Sequence, residues 1–131
     1  MSDIDLSGEW AGMYHYPARF PPNTFNATLR DSGGRVSGLI VQPPEFFEPP
    51  DQSQHSVIEG SHDGTTLSFV KIYDDLSRPT VHYHGSILGE GEEIEGRWTI
   101  PGDWSGTFFM VRGPGAEEAI SERVSEEIGG R

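Results

Sequence analysis

Lys71 stands in the run Leu67-Ser68-Phe69-Val70-Lys71-Ile72-Tyr73, whose alternation places its side chain on one strand face with Leu67, Phe69 and Tyr73. Desolvation among such neighbours lets a lysine lose its proton near neutrality, which covalent or acid–base chemistry requires. The simpler reading is a rim lysine of ordinary behaviour, its stem on apolar surface and its ammonium in water. The five histidines include His82 and His84, which share a strand face, with His15 as a conceivable third metal ligand. His15 belongs to the first strand and the pair to the sixth, which are not neighbours in a simple meander. The pair is therefore read as solvated and no metal is assigned, a metal bridging subunits being the alternative. No Ser/His/Asp set or carboxylate pair has a spacing that compels catalysis. The question of enzyme or not stays open, with binding preferred, and no cofactor is implied.

The elements that position these residues are short. Turn formers recur at hairpin intervals and leave eight candidate strands: Leu6 to Tyr16, Thr24 to Arg30, Arg35 to Gln42, Ser56 to Ser61, Thr65 to Tyr73, Thr80 to Leu88, Glu92 to Ile100 and Asp103 to Arg112. Asp31-Ser32-Gly33-Gly34, His62-Asp63-Gly64 and Gly89-Glu90-Gly91 make tight connections, while the others are roomier or carry proline. Successive turns of an up-and-down meander fall on opposite ends, so the tight turns close one end and the others surround an open mouth. An apolar residue, any residue, then glycine recurs, as in Val36-Ser37-Gly38 and Ile94-Glu95-Gly96. The glycine shares a face with its apolar partner, leaving room for a bulky neighbour or letting the strand bend. The expected fold is an all-β antiparallel barrel of about eight strands over residues 1–112, with an open sandwich as the alternative.

Alternation from Trp10 and Gly12 also sorts the inward side chains by height. Tyr14, Tyr16, Gln42, Lys71, Tyr73, Tyr83, Trp98 and Trp104 all fall toward the mouth, above an apolar floor. An aromatic, hydrogen-bonding mouth is how a small-molecule pocket is built. A core filled by its own side chains is the competing reading, since a barrel of this size has room for either. Phe46 and Phe47, held between Pro43-Pro44 and Pro49-Pro50, cannot lie in a central strand, and with Phe20 they are candidates for a lid.

At the other end Gly8-Glu9-Trp10 opens the first strand and Arg112 closes the last. In a closed barrel these strands are neighbours, so the guanidinium can stack on the indole. Here the chain resembles the calycin superfamily of lipocalins, fatty-acid-binding proteins and avidins, marked by a Gly-x-Trp on strand one and a basic residue across it on the last strand. That resemblance implies structural roles for Gly8, Trp10 and Arg112 and a barrel interior that binds a small, mostly apolar molecule. No helical hairpin follows strand one as in fatty-acid-binding proteins. Ala11-Gly12-Met13-Tyr14 lacks the Asn and Ser with which avidins hold biotin.

The 131 residues fit one domain. Nine basic against 21 acidic residues give a net charge of −12, a field that repels phosphate backbones and anionic lipid, so neither nucleic acid nor membrane is an expected partner. With no cysteine and no apolar spanning run, a cytoplasmic location is expected. From Gly115 onward Ala116, Ile120, Val124 and Ile128 recur every four residues, predicting a helix within 113–131 that packs on the barrel or in an oligomer contact. Outward Leu39, Val41, Val70, Ile72, Phe109 and Val111 favour a homo-oligomer. The preferred function is binding of a small, mostly apolar or aromatic ligand. The rivals are a barrel enzyme of isomerase or cyclase type, and a structural oligomer-forming barrel without ligand.

Overall fold

Strict two-residue alternation of apolar and polar side chains runs through most of the chain and builds one sheet. In a computed structural model, which describes residues 4–17, 20–43, 53–75 and 78–129, the strands are β1 (Gly8–His15), β2 (Asn23–Ser32), β3 (Arg35–Gln42), β4 (Gln54–His62), β5 (Thr66–Tyr73), β6 (Val81–Leu88), β7 (Glu93–Thr99) and β8 (Ser105–Arg112). Each pairs antiparallel with the next, and β8 returns to β1, so the sheet closes as an eight-stranded up-and-down barrel. The closing register sets Trp10 opposite Arg112 and Tyr14 opposite Phe108. Phe25, Ala27 and Leu29 of β2 are buried while Asn26, Thr28 and Arg30 face out, the pattern of a half-buried strand.

Glycines let the wall curve and pack. A Cβ on Gly12 would lie 2.3 Å from the Phe25 ring, so the missing side chain is the space that the phenylalanine fills. On Gly96 it would lie 2.1 Å from the carbonyl oxygen of His84, which allows β6 and β7 to approach closely.

The three tight turns share one end, and this end is sealed. Leu6, expected at the start of strand one, instead precedes it: the segment before Gly8 crosses the base, where Leu6 is fully buried and its N–H is donated to Asp31 Oδ2 at 2.9 Å. The Trp10 indole N–H donates to the Leu6 carbonyl at 2.9 Å, and the Arg112 guanidinium lies 5.2 Å from the indole centroid and donates to the Ser7 carbonyl at 3.0 Å. Gly8, at φ 135°, supplies the backbone bend at which the crossing segment becomes β1.

The helix α1 (Ala116–Gly129) lies against the outside of β1 and β8. Ala116 and Ile120 are buried there with Ala11 and Met13, and Val124, Phe109 and Val111 pack around them. Alternation alone would leave Ala11 and Met13 facing solvent, and the helix is what covers them. Phe109 and Val111 are thus accounted for inside one chain rather than by association. Leu39, Val41, Val57 and Ile72 do stand exposed, Leu39 at 57%. No described helix is long and apolar enough to cross a membrane.

Candidate functional site

Inward positions at the mouth end of β1, β5, β6 and β7 carry the large polar-tipped side chains, and together they line a cavity of about 430 Å³. Tyr14, Tyr16, Lys71, Tyr73, Tyr83, Trp98 and Trp104 all contribute, joined by Asp75, Arg78, Pro79, Val81, Ile100 and Asp103 from the strand ends and loops. The volume falls within the usual range for small-molecule sites. The rings meet edge to face: Tyr14 on Tyr16 at 5.5 Å, Tyr14 on Trp98 at 6.2 Å and Trp98 on Trp104 at 6.1 Å between centroids. Deeper in, Tyr83 stacks on Phe69 at 4.7 Å and meets Phe108 edge-on at 5.0 Å. Trp98 is pinned by its indole N–H, which donates to the His15 carbonyl at 2.9 Å.

Lys71 is no rim lysine, for only 1% of the residue is exposed. Its Nζ lies 4.7 Å from the Tyr73 ring centroid, 5.1 Å from that of Tyr14 and 5.9 Å from that of Tyr83, and donates to Gln42 Oε1 at 2.5 Å. Gln42 stands behind the cavity wall, buried, and its amide nitrogen donates to the Tyr14 hydroxyl at 2.8 Å. Asn23 Nδ2 donates to the same hydroxyl at 3.1 Å. This chain fixes the Gln42 amide with its oxygen toward Lys71.

Phe20 stands at the rim, 41% exposed, 6.1 Å from both Tyr16 and Trp104. Phe46 and Phe47 lie outside the described residues. Gly8, Trp10 and Arg112 are at the closed end, away from the cavity.

Two features of the mouth escaped sequence reasoning. The guanidinium of Arg78 lies 4.1 Å over the Tyr73 ring, a contact made by a loop whose path no periodicity predicts. Ser56, on the inward face of β4, buries a hydroxyl oxygen that has no hydrogen-bond partner. The alternation Ser56-x-Ile58-x-Gly60 carries the signal for that inward face.

Other polar clusters among the described residues are wired as follows. His84 Nδ1 lies 2.7 Å from Ser68 Oγ, and His15 Nε2 lies 2.5 Å from Glu127 Oε1 of α1. Among the described residues no group of three His, Cys, Asp or Glu side chains is placed to hold a metal ion. Ser7, His62 and Asp31 meet at the closed end and are the residue types of a hydrolytic triad, but their wiring differs. His62 Nδ1 accepts the Gly64 N–H at 2.9 Å, His62 Nε2 faces Asp31 at 2.5 Å, and Ser7 Oγ accepts the Asp31 N–H at 2.8 Å. Both imidazole nitrogens are engaged away from Ser7, so it has no general base.

With this geometry in hand, likeness to known proteins extends to the fold. The chain matches a solved redesigned β-barrel. That structure aligns with a TM-score of 0.67 and 12% identity, over 86% of this chain and 99% of the other. No protein-family model matches the chain, and no curated protein does.

Proposed function

We propose that the protein is a calycin-like barrel that binds a small, mostly apolar ligand through its open mouth. The observation that carries this reading is the cavity of about 430 Å³ walled by tyrosine and tryptophan rings at one end of a barrel sealed at the other. Rings supply apolar area, while their hydroxyl and indole groups are polar handles that orient a guest. Trp10 under the Arg112 guanidinium supports the calycin placement, since it is the arrangement on which that resemblance rests. Binding is preferred to catalysis because Lys71, the interior group suited to covalent or base chemistry, is engaged by Gln42 Oε1 and packed among three tyrosine rings.

The test is titration with prodan, a neutral solvatochromic dye. Saturable binding with blue-shifted emission is expected for the native protein. It should be lost in Ile100→Trp, which places an indole in the cavity, and weakened in Tyr83→Ala. Absence of saturable binding to the native protein overturns the reading.

A further inference from the structure

We propose that the outer face of β3, β4 and β5 joins two copies of this chain in a two-fold dimer. This surface is on the outside of the barrel wall and owes nothing to the ligand-binding reading of the mouth.

Alternation turns every second residue of these strands outward, and the antiparallel register sets Leu39 beside Val57 and Val57 beside Ile72. Three apolar side chains thus form an unbroken row across three strands, exposed at 57%, 39% and 36%. Val41, two residues from Leu39 on β3, extends the patch toward the mouth, and Val70, two residues from Ile72 on β5, extends it toward the closed end. The helix α1 covers the apolar positions of β1 and β8, on the opposite side of the barrel. A contiguous apolar patch left in water marks an interaction surface.

Charge selects the occupant. The chain carries −12, so two copies repel each other wherever their carboxylates meet. The outward positions of β3, β4 and β5 hold one carboxylate, Glu59, and one guanidinium, Arg35, so with histidine neutral this face has no net charge. Two copies can touch here without that repulsion. The flanks of the patch are also complementary to themselves. Val41, Val57 and Val70 run diagonally across the three strands. Off one side, toward the closed end, stands exposed Arg30 of β2, the register partner of Ser37, which in turn pairs with Glu59. Off the other, toward the mouth, stands exposed Asp74, whose N–H continues the ladder to the His55 carbonyl at 3.0 Å. A two-fold axis along the diagonal lays each valine over its own counterpart and exchanges the two flanks. Arg30 of each copy then faces Asp74 of the partner subunit, giving two equivalent ion pairs at the rim of an apolar centre.

The experiment is sedimentation velocity over a range of protein concentrations at neutral pH. It compares the native chain with Val57→Glu, Arg30→Glu, Asp74→Arg and the double variant Arg30→Glu/Asp74→Arg. All three positions are exposed, so the variants should keep near-native thermal melts. The native chain should show a monomer–dimer equilibrium. Val57→Glu sets two carboxylates against each other on the axis and should raise the dimer Kd at least about tenfold. Each single charge reversal should also raise it, and the double variant should return it close to the native value, because the swap rebuilds both ion pairs in the opposite sense. A native chain that stays monomeric at every concentration leaves the face to some other partner and overturns the proposal. So does an oligomer whose Kd none of the variants changes, or a double variant that dimerises no better than the worse of its two singles.

Discussion

His62 Nε2 lies 2.5 Å from Asp31 Oδ2 with both side chains only 2% exposed, and the contact ties the β4–β5 turn to the β2–β3 turn across the closed end. Burial by itself pushes the Asp31 carboxyl up. The N–H groups of Leu6 and Gly34 and the His62 imidazole outweigh burial and hold it below the usual aspartate range. A carboxyl lowered in the folded state adds stability in full above its unfolded value, about 4, and loses it as pH falls through the lower folded value. Thermal melts of the native protein should therefore fall off below about pH 4 more steeply than those of Asp31→Asn. The variant should already cost ~1 to 3 kcal/mol at neutral pH, because an amide keeps one acceptor oxygen where the Leu6 and Gly34 N–H groups use two. Parallel acid profiles would mean that the clasp contributes nothing.

The barrel seam makes a second prediction. Trp10 and Arg112 are register partners whose side chains stack at 5.2 Å. Trp10→Ala should cost ~3 to 5 kcal/mol as a buried aromatic truncation. Arg112→Ala should cost ~1 to 2, the scale of a cation–π contact and a hydrogen bond to Ser7. The double variant should lose less than the sum in a denaturant cycle, since the second truncation removes a contact already gone. Strict additivity would show that the stack is energetically silent.

Much of this architecture can be read from alternation, and the rest depends on contacts between segments far apart in sequence. Trp10, Tyr14, Lys71, Tyr83 and Trp98 point inward as their two-residue spacing demands. Three tight turns at one end follow from glycine placement, yet the Asp31–His62 clasp between two of those turns does not, because pairing across an end depends on register. Leu6 continues the apolar alternation of strand one and still leaves the sheet, drawn across the base by its hydrogen bond to Asp31. The difference between a rim lysine and a buried one at position 71 is a matter of height in the barrel. It is decided by Gln42, Tyr14 and Tyr83 on other strands, together with Tyr73 two residues along its own.

The helix should be docked through its apolar stripe rather than its charges. Ile120→Ala should cost about 2 kcal/mol, the low end for buried aliphatic truncation, since its site lies between helix and sheet rather than inside the barrel. Glu127→Gln breaks the contact with His15 but should change stability by less than ~1 kcal/mol, both side chains being about a third exposed, at 39% and 34%. Amide exchange should be slowed from Ala119 to Glu127 in the native protein. Immediate exchange throughout that span would mean that the helix is not held.

The mouth wall depends on one missing side chain. A Cβ on Gly106 would stand 1.9 Å from the His15 carbonyl and 2.7 Å from the Trp98 indole, so Gly106→Ala must move backbone or ring. A cost of ~1 to 3 kcal/mol is expected, typical of overpacking, together with an altered near-ultraviolet signal from Trp98. An unchanged signal and an unchanged melt would contradict this packing.

The central claim is that the mouth admits an apolar guest. Chemical-shift mapping with naphthalene, on protein labelled at its methyl groups and indole nitrogens, tests it most directly. Val81, Ile100 and the Trp98 indole line the cavity, whereas Val36 and Ile94 lie beside the closed end. Saturable shifts at the first three, with the last two unmoved, are the predicted result. No shifts, or shifts largest on the exposed outer residues Leu39, Val57 and Ile72, would contradict it.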